Sequence, residues 1–184
     1  MRNREEALWG FFRVENCRIK KMKRLLIIGA GGHGKVVAEV AEDVGYEEIA
    51  FLDDKSSKAI GKIFEFEKFK DKYSEAFVGI GNNKLRSKLI QRLQKCGYTV
   101  PVLIHPSAFV SRSSIIGAGT IIEPKAIINS NSYIAEGVII SIGAIVDHNA
   151  EVGKYSHINA GAIVKAGAKI ERFRKLEAGE EVVP

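Results

Sequence analysis

The stretch IIEPKAIINSNSYIAEGVIISIGAIVDHNA, residues 121–150, places an aliphatic side chain at every sixth position: Ile122, Ile128, Ile134, Ile140 and Val146. The period extends back through Ile116, Val110 and Ile104. It extends forward through Val152, Ile158, Val164, Ile170, Leu176 and Val182 without a miss. Six matches neither the 3.6-residue period of a helix nor the two-residue period of a hairpin strand. It is the hexapeptide repeat of a parallel β-helix, three hexads to a coil, with the aliphatic residues stacked as a ladder inside a prism. The residue two places before each ladder position is compact from Ala108 to Ala168, and the rule lapses at Arg174 and Glu180.

Working outward, Pro101 and Pro106 bracket the start of the repeat and mark a boundary between residues 22–100 and residues 101–184. The upstream part alternates strand and helix patterns. Strands are expected at 25–29, 49–53, 76–81 and 98–103, and helices at 35–43 and from Asn82 or Asn83 to Gly97. That alternation predicts a parallel sheet covered by helices, a Rossmann-like half-domain ahead of the β-helix. Residues 1–21 are basic and aperiodic. Either Met22 is the initiator and they are a start-site artefact, or they form a real arm.

Composition narrows the function classes. With 46% apolar and 27% charged residues the 184-residue chain is an ordinary globular one. No apolar run is long enough to span a bilayer. Half of the net charge of +6 falls in residues 1–21, so the remainder makes no nucleic-acid footprint. Cys17 and Cys96 form neither a disulfide scaffold nor a metal-ligand spacing, which fits a reducing cytoplasm.

Between the first strand and helix stands Gly29-Ala30-Gly31-Gly32-His33-Gly34, a G-x-G-x-x-G turn. Glycines let the backbone approach a phosphate, and a helix N-terminus supplies aligned N–H groups. Asp53 and Asp54 end the next strand and are expected to accept hydrogen bonds from a ribose or base. The upstream part has room for one nucleotide-binding half and not two, so a single nucleotide such as the UDP of a nucleotide sugar is expected rather than NAD. Gly81, Asn82 and Asn83 close the third strand beside this loop. The asparagines can read a sugar or cap a helix, and Arg86 one turn on can reach a phosphate. His33 lies in the glycine loop, while His105 beside Pro106 reads as structural. His148 and His157 are half a coil apart, so they need not converge within one chain but can face each other across the cleft between two prisms.

From Met22 onward the chain resembles the hexapeptide-repeat sugar acetyltransferases of the sialic acid O-acetyltransferase type, which include the bacterial UDP-4-amino-sugar N-acetyltransferases. The matching residues are Ile28 to Val37 around the glycine turn, Phe51-Leu52-Asp53-Asp54, Gly79 to Asn83, His105-Pro106-Ser107-Ala108, Asp147-His148 and Ser156-His157. The resemblance implies a left-handed β-helix, although crossover connections are ordinarily right-handed. It implies a homotrimer, with acetyl-CoA as co-substrate held between adjacent prisms and no metal. It implies a nucleotide-sugar pocket at Gly29 to Gly34, Asp53, Asp54, Asn82 and Asn83, with His148 as general base and His157 near the acetyl group. Two departures stand out. The family's acid after the base is Asn149 here, leaving Asp147 as the expected orienting acid. Many members also continue for several more coils before a valine-proline-alanine motif, whereas this sequence stops at Pro184.

The implied chemistry is direct acetyl transfer to an amino or hydroxyl group of a sugar, in surface glycan biosynthesis. A neutral imidazole suits proton removal from the attacking group. His157, or a backbone N–H near Gly161 or Ala166, is expected to meet the oxyanion. The alternatives are a trimeric nucleotide-sugar scaffold that has lost catalysis, which Asn149 favours, and a metal-binding prism.

Overall fold

The computed structural model describes residues 22–184; residues 1–21, Cys17 among them, lie outside the described residues. The upstream unit is a three-stranded parallel sheet, β1 (Arg24–Ile28), β2 (Glu48–Leu52) and β3 (Glu75–Val78), in the order β2-β1-β3. Alternation along β1 sends Leu25 and Ile27 to one side and Leu26 and Ile28 to the other. The first pair packs under α1 (Gly32–Asp43), and the second under α2 (Asn83–Lys95) with a 3-10 helix at Ile63–Phe69. Helices on both faces explain why β1 reads as an uninterrupted apolar run.

Two expectations are corrected. The first helix starts at Gly32, so His33 and Gly34 belong to its first turn rather than to a loop. The expected fourth strand reduces to a bridge between Glu75 and Thr99, and Leu103 already pairs within the first coil of the prism.

The downstream unit is the left-handed parallel β-helix. Its first face stacks Leu103–Ile104, Ile121–Ile122, Ile139–Ile140 and His157–Ile158. The second stacks Phe109–Val110, Ile127–Ile128, Ile145–Val146, Ile163–Val164 and Glu181–Val182, and the third Ile115–Ile116, Tyr133–Ile134, Glu151–Val152 and Lys169–Ile170. Parallel strands pair at a spacing of 18 residues, Ile122 with Ile140 and Ile140 with Ile158. The ladder side chains are buried together through the body of the prism, and only the end coils leave theirs partly open.

Each coil turns its corners with a left-handed residue, and these recur every sixth position from Gly119 to Gly179. Most are Gly or Asn, the residues that tolerate positive φ at least cost. One corner column carries a size gradient: Gly119, Gly137, Tyr155, Phe173. At its lower end Ile90 of α2 closes on the corner, and a side chain at Gly137 would meet both Ile90 and Tyr155. Higher up, Tyr155 and Phe173 stack on each other, ring centroids 5.5 Å apart. The helix and the prism therefore share one core: Ile90, Tyr98, Val100 and Tyr155 pack together, and α1 packs on Leu103, Ile121 and Ile139 of the first face.

Candidate functional site

The glycine turn divides its labour. A side chain on Gly34 would stand 2.0 Å from the Gly29 carbonyl oxygen, so Gly34 is required for α1 to pack against the sheet. Gly31 and Gly32 face open space. Helix α1 begins without a side-chain cap or an acid in its first turn, which leaves its N-terminal amides and positive dipole end bare. Beside it lies a cleft of about 420 Å³ lined by Ala30, Phe51 and Ser56 with Lys35, Lys55 and Lys58. Open glycines, an uncapped helix start and three lysines are features that suit an anion.

The acids expected to read a ribose or base do otherwise in this structure. Asp53 accepts from the backbone N–H groups of Ala30, Lys55 and Ser56, which hold its carboxyl below the usual range. It ties the glycine turn to the loop after β2. Asp54 accepts from the N–H of Ile63 and fixes the 3-10 helix. Asn82 caps α2 by accepting from the Leu85 N–H. Asn83 donates to the Phe173 carbonyl at 2.9 Å, across to the top of the prism.

Arg86 is a clearer correction. It is 1% exposed and cannot reach a ligand phosphate. Its guanidinium donates to the carbonyls of Gly137, Tyr155 and Ser156 in the prism and of Ile80 and Gly81 in the upstream unit, and to Asn83 Oδ1. Burial pushes its pKa down to about 10, so it stays charged. Arg86 is a strut that locks the two units at a fixed angle.

That lock brings His33 of α1 within 6.5 Å, ring to ring, of His157 on the first face. Glu123 and Ser141 complete the seam. His157 Nε2 lies 3.0 Å from Ser141 Oγ, and His33 Nδ1 lies 3.6 Å from Glu123 Oε1. His33 Nε2 and His157 Nδ1 are buried without a partner. Burial first, then the neighbouring His157 and Arg86, lowers the His33 pKa to about 4. Burial, Arg86 and Lys175 do the same for His157. Both rings are therefore neutral near pH 7, and the contact of His33 with Glu123 is dipolar rather than an ion pair. Burial also raises the Glu123 carboxyl, against the Ile142 N–H that it accepts. His157 opens into a cavity of about 500 Å³ shared with Gly81, Asn82, Lys84 and Lys175.

Sequence reasoning missed Glu123 and Ser141. They belong to a polar column, His105, Glu123, Ser141 and Asn159, that steps by one coil along the first face. Reading the repeat at 18 rather than six residues exposes this column. His105 has the structural role expected of it, its Nε2 3.0 Å from Asp43 at the end of α1.

His148 stands elsewhere. It occupies the corner between the second and third faces, opposite the first face that carries His157, and is exposed. The two histidines do not converge within one chain. Asp147 does not orient the ring: its Oδ1 accepts from the His148 backbone N–H and the Asn129 amide, which lower its pKa. The N–H at this turn position falls outside the ladder, and Asn129 and Asn159 satisfy it in their own turns as Asp147 does here. The ring contact is instead with Asn149, whose Nδ2 lies 3.0 Å from His148 Nδ1. One coil above His148, the Ala166 N–H has no hydrogen-bond partner among the described residues, whereas the Gly161 N–H is committed to the Ile142 carbonyl. Ala166 is thus the available donor of the pair.

Among the described residues, no three His, Cys, Asp or Glu side chains group as a metal requires, and no helix is long and apolar enough to cross a membrane. Residues 24–93 match the PglD N-terminal domain family. UDP-N-acetylbacillosamine N-acetyltransferase of Bacillus subtilis is 34% identical over 117 residues, 54% of this chain and 51% of that protein, so the match spans about half the relative's length. The acetyltransferase domain of PglB from Neisseria gonorrhoeae superposes with a TM-score of 0.74 at 32% identity, covering 88% of this chain and 91% of that one. The same domain has also been solved in complex with acetyl coenzyme A. A variant of perosamine N-acetyltransferase from Caulobacter crescentus, in complex with CoA and GDP-perosamine, superposes with a TM-score of 0.78 at 29% identity over 88% of this chain and 89% of that one. A nucleotide-type glycine turn fused to a hexapeptide prism, matched along nearly the whole of the gonococcal domain, places this chain in the family of hexapeptide-repeat sugar acetyltransferases.

Proposed function

We propose that the protein transfers an acetyl group from acetyl-CoA to an amino or hydroxyl group of a nucleotide sugar, as a cytoplasmic homotrimer serving surface glycan synthesis. Residues 22–100 hold the nucleotide sugar and residues 101–184 the acetyl donor. The acceptor amine or hydroxyl attacks the thioester carbonyl, its proton passes to His148, and the CoA thiolate leaves. The Ala166 N–H, one coil above that base, suits the oxyanion that forms on the carbonyl.

The observation that carries this reading is the separation of the histidines. The His33–His157 seam adjoins the cavity between the two units, while His148 faces outward on the far corner. A base on that corner meets an acceptor bound at a seam only when a second copy supplies one of them. The second face beside His148 supports that arrangement. It presents Phe109, 59% exposed, and Ile127, 39% exposed, in one column with Ile145 and Ile163, an apolar strip that another copy would cover.

Free CoA released from acetyl-CoA, followed across UDP- and GDP-linked amino sugars and a sialic acid acceptor, tests the proposal. Release that depends on one amino sugar supports N-acetylation, and release with the hydroxyl acceptor alone supports O-acetylation. Nucleotide-sugar binding without release from any acceptor would favour a silent scaffold.

A further inference from the structure

We infer that Asn149 is the positioning residue for His148, and that its amide, unlike a carboxylate, holds the ring with the proton free to sit on either nitrogen. The inference rests on His148 acting as the base. The ring has one polar partner among the described residues, the Asn149 amide at 3.0 Å from Nδ1. The nearby acid is engaged otherwise, since Asp147 Oδ1 is shared by the His148 backbone N–H and the Asn129 amide.

The backbone explains why an amide stands here. Asn149 sits at φ 57° in the left-handed corner series, and its N–H donates to the Ser130 carbonyl. Asparagine tolerates that conformation far better than a longer acid. The side chain that the turn favours is therefore the one beside the ring.

The choice has a chemical consequence. A carboxylate only accepts, so it would fix the proton on Nδ1 and leave the Nε2 lone pair free to act as a base. An amide serves either tautomer. With Nδ2 toward the ring, Nδ1 accepts and the proton resides on Nε2, a form that cannot take a proton from the acceptor there. With the amide turned over, Oδ1 accepts from Nδ1–H and Nε2 is free. Asn149 thus holds the ring in place while leaving the tautomer two-valued.

The test reads the tautomer without relying on activity. The intact protein, labelled with 15N-histidine, is compared with Asn149→Asp and Asn149→Ala at alkaline pH, with thermal unfolding as the check on folding. Asn149→Asp should shift the His148 nitrogens toward the Nδ1–H form, and Asn149→Ala toward the Nε2–H form. Turnover should fall about tenfold in Asn149→Ala and recover in Asn149→Asp, with KM for acetyl-CoA unchanged. One tautomer ratio in all three proteins would overturn the inference, as would wild-type turnover in Asn149→Ala. If His148→Ala retained transfer, the base assignment would fail instead, and the nitrogen shifts would still report whether Asn149 holds the ring.

Discussion

The seam at His33 and His157 and the corner at His148 are built on opposite principles. At the seam, the fold finishes the job: two units share a core, Arg86 bolts them together, and two half-buried imidazoles are kept neutral. At the corner, His148 is exposed, its ring hydrogen-bonds among the described residues only to an amide, and it lies beside an apolar strip that the described residues leave uncovered. Under the proposed function, each chain completes its acceptor pocket alone and presents its base to a neighbour.

Removing the bolt should separate the two regions most strongly. Arg86→Met strips donors from buried carbonyls and should cost about 3–5 kcal/mol, read as a lower midpoint in denaturant unfolding. The upstream unit would lose its fixed angle to the prism, while the ladder and the His148 corner persist, with the oligomeric state in light scattering unchanged from the parent protein's. An unchanged midpoint would mean that Arg86 is no strut.

The corner should respond in the opposite way. His148→Ala should lower turnover by ~10²-fold or more with unfolding and nucleotide binding unaltered, because nothing in the fold depends on that ring. Near-wild-type transfer would send the search for the base to the seam.

Acid should distinguish the regions more gently. His33 and His157 titrate near pH 4 in the folded protein and near 6.5 when unfolded, so between those values the unfolded chain binds more protons. Their contribution is full above pH 6.5 and is lost as the pH falls toward 4. The raised Glu123 carboxyl works against this loss, and two histidines outweigh one carboxyl. Stability should therefore decline across that window. The decline should be shallower in His33→Gln and in His157→Asn than in the parent protein. An equal slope in all three would show that the seam histidines are not held neutral by the fold.

The contrast also governs how much was legible in the sequence. The prism is a local rule repeated, so the period of six gave its ladder directly, although Leu103, read as the end of an upstream strand, belongs to the first coil. The glycine turn was legible as a turn, because Gly34 is required by a contact only six residues wide. What was not legible depends on the angle between the two units. Arg86 one turn into α2 looks the same in sequence whether it faces a ligand or a prism carbonyl 51 residues away. Asp53 and Asp147 likewise match a ligand-reading or ring-orienting acid by position, but backbone N–H groups claim both. The Lys55 and Ser56 N–H groups beside Asp53 and the His148 N–H beside Asp147 win because such local hydrogen bonds form at no cost in assembling distant parts.

The most direct test of a site shared between copies is complementation. His148→Ala carries intact seams and no base; the double variant His33→Ala with His157→Ala carries intact bases and ruined seams. The two proteins are unfolded together, refolded as a mixture, and assayed for CoA release with the acceptor sugar. If one copy's His148 serves its neighbour's seam, random mixing restores about a quarter of wild-type activity, because one site in four joins two intact halves. Activity no greater than that of the two inactive variants alone would contradict the account and return both halves of the site to a single chain.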